Sequence, residues 1–221
     1  AVPLASFDAS IAEINQKLLS MRMPRLRIEE AIGCRLFTGP MHEKYNTVLR
    51  RKSDLPGSRT ILRDKFHRHC GGENGKGGNL YPTTIWVINS AIIKLSKTTV
   101  VQPVYRGLHG MTLPSIFKNK DEYGVTGGFE LAFLSTTTDP KLVRSQAGEG
   151  SIVLEIQPGL VDRGADVSWI SQYPFEQEIL FAPLTALEVA QWRIKDATLV
   201  VEVNPCVNQG SKTIDEVVAR L

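Results

Sequence analysis

A change of texture near residue 98 constrains this chain more than any other feature. Before it, apolar residues recur at spacings of three and four; after it, they come in short runs broken by turns. Residues 6–22 carry Ile11, Ile14, Leu18 and Met21 on one helical face, with Ser6 or Asp8 available as a cap and Pro24 just beyond. Further helices are predicted over 26–38, over 41–52 with Tyr45, Val48 and Leu49 on one face, and after Tyr81-Pro82, where Ile85, Ile88, Ile92 and Leu95 form a stripe. Strands are predicted over 99–106, 131–135, 151–156, 178–181, about 187–194, and 198–203. One short helix follows Asp139-Pro140 and ends near Gly148. Helices first and strands afterwards is the order of an α+β fold, not of alternating βαβ units.

Several familiar chemistries lack their residues. No G-x-G-x-x-G follows a strand, which argues against a Rossmann domain. No G-x-S-x-G elbow supplies a serine nucleophile. The glycine run at 71–78 resembles a phosphate loop, but Cys70 stands where its first Gly belongs and Gly77 where Ser or Thr must follow Lys76. It reads better as a linker between a helical part and the rest. His67-Arg68-His69-Cys70 offers no second Cys/His pair at a zinc spacing, so no metal site is expected.

Composition narrows the setting. At 221 residues the chain is one domain, or one domain with a helical extension. A net charge of +3 is too small to imply nucleic acid. The segment 44–68 does concentrate Lys and Arg, but with no interleaved aromatic platform it reads as a solvated basic face. The cysteines, Cys34, Cys70 and Cys206, are odd in number and widely spaced. Together with the absence of N-x-S/T sequons, they favour a reducing compartment such as a cytosol over an extracellular one. No signal peptide is read, and no run approaches the roughly 18 apolar residues that span a bilayer, so no membrane partner is expected. A start at Ala1 suits a processed product or a piece of something longer.

Three motifs fall at strand ends. Val104-Tyr105-Arg106-Gly107 places a guanidinium, a fork of donors suited to phosphate, beside a residue without a side chain. Leu134-Ser135-Thr136-Thr137-Thr138 carries hydroxyls out of an apolar strand. These can cap the next helix, or orient a carboxylate or a ribose. Tyr173-Pro174-Phe175-Glu176-Gln177-Glu178 is an aromatic turn that delivers two carboxylates to an apolar strand closed by Pro183. If that strand starts at or before Glu176, alternation puts both carboxylates on one face.

Arg, then Ser-Thr-Thr, then Glu-x-Glu, each at a strand end, resembles the mono-ADP-ribosyltransferases of the Arg–Ser–Glu class, the cholera-toxin-like, arginine-specific group. The resemblance covers about residues 80–203, and Thr137 stands where members often carry a second Ser. It implies a helical N-terminal lobe over 1–80 and, over 81–221, a two-sheet β core with an NAD cleft. It implies NAD as substrate, no metal, and a protein target bearing an acceptor arginine. By the same resemblance Glu178, Glu176 and Ser135 are catalytic. Arg106, Gly107, Tyr105 and Thr136 bind NAD, and Tyr173 and Phe175 recognise the target. An NAD glycohydrolase, an inactive binding module, and transfer to nucleic acid stay open as alternatives at this stage.

Overall fold

The computed structural model describes residues 3–50, 64–65, 67–71, 78–108, 110, 112–146, 151–196, 198–208, 210 and 212–219. Much of the basic segment 44–68, the centre of the glycine run and the end of the helix near Gly148 lie outside these residues.

The helices come first, as the periodicity predicts. They are α1 (Asp8–Ser20), α2 (Ile28–Leu36), α3 (His42–Arg50) and α4 (Pro82–Leu95). A tight π-type turn, Phe37–Met41, joins α2 to α3; Gly39 breaks the helical path there with φ −104° and ψ −165°. The strands follow: β1 (Val104–Leu108), β2 (Gly127–Glu130), β3 (Leu134–Thr137), β4 (Ile152–Ile156), β5 (Ala165–Asp166), β6 (Glu178–Phe181), β7 (Thr185–Lys195) and β8 (Thr198–Cys206). Two short helices, α5 (Pro140–Gln146) and α6 (Ile214–Val218), and three 3-10 turns, Leu4–Phe7, Ser115–Phe117 and Pro174–Glu176, are also present. The fold is α+β.

The eight strands form one mixed sheet in the order β2-β7-β8-β4-β1-β3-β6-β5. Among the described residues only the β4–β8 pairing is parallel. The expected two-sheet core is realised as two halves of this sheet. Whereas β1 and β4 share a ladder from Val104↔Ile156 to Leu108↔Ile152, β1 and β3 meet through the single registered pair Tyr105↔Thr137. Two apolar clusters pack against the sheet, and β6 contributes to both, Ile179 and Phe181 to one and Leu180 to the other, because side chains alternate along a strand. One gathers Leu154, Ile156, Phe181, Val201 and Val203 within the sheet. The other packs Leu18, Cys34, Phe37 and Tyr45 of the helical part against Ile88, Phe133, Ile170 and Leu180. The helices therefore cover one half of the sheet and share its core.

Strand boundaries shift where another group satisfies the backbone. The strand predicted over 131–135 begins only at Leu134. Just before it, the buried Asn46 side chain accepts from the Phe133 N–H at 3.2 Å and donates to the Phe133 carbonyl at 3.3 Å, replacing a neighbouring strand. The strand predicted over 99–106 begins at Val104, directly after Pro103, which has no N–H to give. The short strands β2 and β5 were not predicted: β2 opens on two glycines, and β5 has only two residues.

Candidate active site

Adjacency in the sheet brings the three motifs together. Tyr105 registers with Thr137, and Thr137 in turn registers with Glu178. Three motifs spread over more than seventy residues thus meet across β1, β3 and β6. Beyond the Tyr105↔Thr137 pair, β1 and β3 have no further ladder, and a cleft of about 250 Å³ opens there. Tyr105, Arg106 and Gly107 line it with Ser135, Thr136, Glu176 and Glu178. A second cavity of about 490 Å³ shares Arg106, Ser135, Glu176 and Glu178 and runs under the helical part, past Phe37, Gly39 and His42. The two carboxylates stand where the cavities join.

Glu178 is only 4% exposed, and Ser135 Oγ donates to its Oε1 at 2.5 Å. Burial pushes its carboxyl above the usual carboxylate range, and neighbouring Glu176 adds to this. The Ser135 hydroxyl, His42 and Arg106 oppose the rise without cancelling it. Arg106 Nη1 donates to the Ser135 carbonyl at 2.6 Å, which ties β1 to β3 at the seam. Burial lowers the proton affinity of its guanidinium, Glu130 raises it, and Arg50 lowers it again. An arginine remains charged through such shifts, so the cleft holds a fixed cation beside its carboxylates.

Strand β6 has the predicted bounds, 178–181, so the condition under which alternation would put both carboxylates on one face is not met. The strand starts at Glu178, and Glu176 ends a 3-10 turn, Pro174–Glu176. Gln177 between them is left-handed, with φ 46° and ψ 52°. That conformation interrupts alternation, so a turn and not strand periodicity sets the geometry of the pair. The turn is clamped from β3. Thr137 Oγ1 donates to the Glu176 carbonyl at 2.6 Å, and Thr138 Oγ1 donates to Gln177 Oε1 at 2.7 Å. Thr136 lines the cleft, but its hydroxyl already donates to the Ile179 carbonyl at 2.7 Å.

Tyr173 lines the larger cavity, whereas Phe175 lines neither; it is 67% exposed and meets Tyr173 edge-on at 6.1 Å. Sequence reasoning missed the wall built by Phe37, Thr38, Gly39, Pro40, His42 and Asn46, and the part of the smaller cleft lined by Leu142 and Val143. The Phe-Thr-Gly-Pro break between two helices was the only hint of the first. His69, from the rejected metal cluster, pairs with Glu43 at 3.1 Å.

A family model for the ADP-ribosyltransferase exoenzyme matches residues 11–214. The chain belongs to the ADP-ribosyltransferase exoenzyme family. It is an ADP-ribosyltransferase, and NAD is its substrate. Among solved structures it is similar to the ADP-ribosyltransferase HopU1 of Pseudomonas syringae pv. tomato, at 18% identity over 93% of this chain and 88% of that one, with a TM-score of 0.64. The ADP-ribosyltransferase Vis from Vibrio splendidus, solved with agmatine, matches at 16% identity over 96% and 90%, with a TM-score of 0.56. Exoenzyme S of Pseudomonas aeruginosa, solved with human 14-3-3 protein beta and carba-NAD, matches at 19% identity over 98% and 92%, with a TM-score of 0.53. At these identities the likeness is one of fold. A search of curated proteins returned no match.

Proposed function

We propose that this ADP-ribosyltransferase transfers ADP-ribose from NAD to arginine side chains of a protein. The observation that carries the reading is the second carboxylate, Glu176, held on a clamped turn beside buried Glu178 and facing both cavities.

In the reaction the bond between ribose C1′ and the nicotinamide nitrogen breaks, and its electrons leave with nicotinamide. Positive charge builds on the ribose, as in glycoside hydrolysis. Glu178, in a partly dry cleft, stabilises that charge and holds a ribose hydroxyl. Ser135 orients Glu178. Arg106 takes the pyrophosphate, Gly107 offers main-chain groups to the nicotinamide amide, and Tyr105 and Thr136 form the wall around them. An acceptor guanidinium pairs with Glu176, attacks C1′ and loses a proton as the new N–C bond forms. Tyr173 and Phe175, on the same turn, contact the target protein.

The test is NAD turnover with and without agmatine, a free guanidine, reading both nicotinamide release and ADP-ribosyl-agmatine. Modified agmatine with faster release is the expected result, and Glu176→Gln should abolish the modification while sparing slow NAD hydrolysis. Nicotinamide release with agmatine left intact would instead favour an NAD glycohydrolase. Equal transfer by Glu176→Gln would sink the role of Glu176.

A further inference from the structure

The segment leading into the turn that carries Glu176 is anchored by the end of α2 and the kink between α2 and α3. Arg35 Nη1 donates to the Ile170 carbonyl at 2.8 Å and to the Ser171 carbonyl at 3.2 Å. The Gln172 N–H donates to Thr38 Oγ1 at 3.0 Å, and Gln172 Nε2 donates to the Arg35 carbonyl at 2.9 Å. These bonds join segments more than 130 residues apart in sequence. The fit is tight. A Cβ built on Gly39 would lie 2.1 Å from Gln172 Nε2 and 2.6 Å from its Cδ, so any side chain at 39 requires the amide end of the glutamine to move. Ser171 Oγ then accepts from the Tyr173 N–H at 2.9 Å, which passes the anchor into the 3-10 turn. Arg35 is itself fixed, its guanidinium 5.0 Å above the Phe7 ring. Both ends of this brace, Thr38 and Gly39 on one side and Tyr173 and Glu176 on the other, line the 490 Å³ cavity.

We infer that Gln172, seated against Gly39 and Thr38, is a positioning residue that fixes the Glu176 turn relative to Glu178, so that the helical part of the chain governs acceptor use. The acceptor half of this inference rests on the arginine-transfer reading above; the positional half does not. Gln172 lines neither cavity, so its effect is transmitted through the turn. Glu178 has its own anchor in Ser135, so the brace acts on one carboxylate and spares the other.

The experiment uses the whole chain and four variants: Gln172→Ala, Gly39→Ala, Thr38→Val and Thr38→Ser. Three quantities are read: KM for agmatine, NAD hydrolysis without acceptor, and hydrogen exchange of the peptide spanning 171–177. Gln172→Ala should raise the agmatine KM about tenfold, since small displacements of a positioned group weaken a reaction steeply. It should leave acceptor-free hydrolysis within about twofold, because Ser135 still orients Glu178. Exchange across 173–177 should quicken in Gln172→Ala, Gly39→Ala and Thr38→Val. Thr38→Ser, which retains the accepting hydroxyl, should restore parental behaviour. Unchanged exchange, or an equal loss of hydrolysis and transfer in Gln172→Ala, would overturn the inference, as would an unaltered agmatine KM in an enzyme that uses agmatine. If the parent does not modify agmatine at all, arginine transfer fails. The brace is then decided by exchange: faster exchange in the three disrupted variants sustains it, and unchanged exchange removes it.

Discussion

Ser135 donates its hydroxyl to Glu178 across 2.5 Å, and the same residue's carbonyl accepts from Arg106 across 2.6 Å. One serine thus ties the cleft's buried carboxylate to its fixed cation. Neither contact is local in sequence. Both exist because β3 lies between β1 and β6 in the sheet.

Removal of the Ser135 hydroxyl should move the acid limb of the pH profile. Burial already raises the Glu178 carboxyl, and the hydroxyl is the strongest force opposing that rise. In Ser135→Ala the carboxylate is harder to form, so the acid limb of kcat/KM for NAD hydrolysis should shift to higher pH. At a pH above that limb, lost orientation should still cost about one to two decades in rate. A pH–rate profile measures both effects, and an unmoved limb would remove Ser135 as the partner of Glu178.

Glu178→Gln should exchange activity for stability. Loss of a preorganised electrostatic group costs about 3–4 kcal/mol of barrier, or two to three decades in rate. The folded-state pKa of Glu178 lies above its unfolded value. Its contribution to stability is therefore full below the unfolded pKa and is lost as pH rises through the folded one. Near neutral pH the isosteric amide should raise Tm, and the gain should shrink as pH falls. Thermal melts of parent and variant across that range test the sign.

Arg106→Lys should weaken NAD binding. Lysine retains the charge but has no planar fork, and it cannot both reach the Ser135 carbonyl and grip a pyrophosphate as arginine can. A lost hydrogen bond to a charged group is worth about 1.5–3 kcal/mol, or roughly one to two decades in Kd. Titration calorimetry with NAD reads this directly, and an unaltered Kd would refute the phosphate role.

A different network should govern acid stability. Lys94 is fully buried and bonds to Glu30 Oε2 at 2.8 Å and Asp215 Oδ2 at 2.6 Å, while Arg27 reaches Asp215 from outside at 2.6 Å. Burial alone would raise the Asp215 carboxyl, but the bonds from Lys94 and Arg27 outweigh it and hold it below its ordinary value. A depressed carboxylate contributes stability above its unfolded pKa and loses it as pH falls through the folded one. Asp215→Asn should therefore lower Tm at neutral pH and flatten the acid side of the Tm–pH curve. Lys94→Met, which strands Glu30 without a cation, should cost about 3–5 kcal/mol in denaturant melts.

Much of this protein was legible as local chemistry. Helix periodicity located α1, α2, α3 and α4, because one apolar face must repeat every three or four residues to reach a core. The Tyr-Arg-Gly, Ser-Thr-Thr and Glu-x-Glu runs were readable because the residue types themselves carry the charge and hydroxyls the chemistry needs. Other features depended on distant partners. Asn46 took the hydrogen bonds of Phe133 and moved the start of β3. Left-handed Gln177 ends the turn that carries Glu176, so the geometry of the two carboxylates does not follow from strand alternation. The Phe-Thr-Gly-Pro break marked a helix boundary but not a cavity wall, and the seating of Gln172 on Gly39 has no signature in its own neighbourhood. Sequence by itself determined which residues could fold as helix or strand and which could do the chemistry, since those properties reside in side chains and short spacings. Tertiary structure alone decided which of them meet, since hydrogen bonds and burial between segments distant in sequence depend on how the whole chain closes on its core.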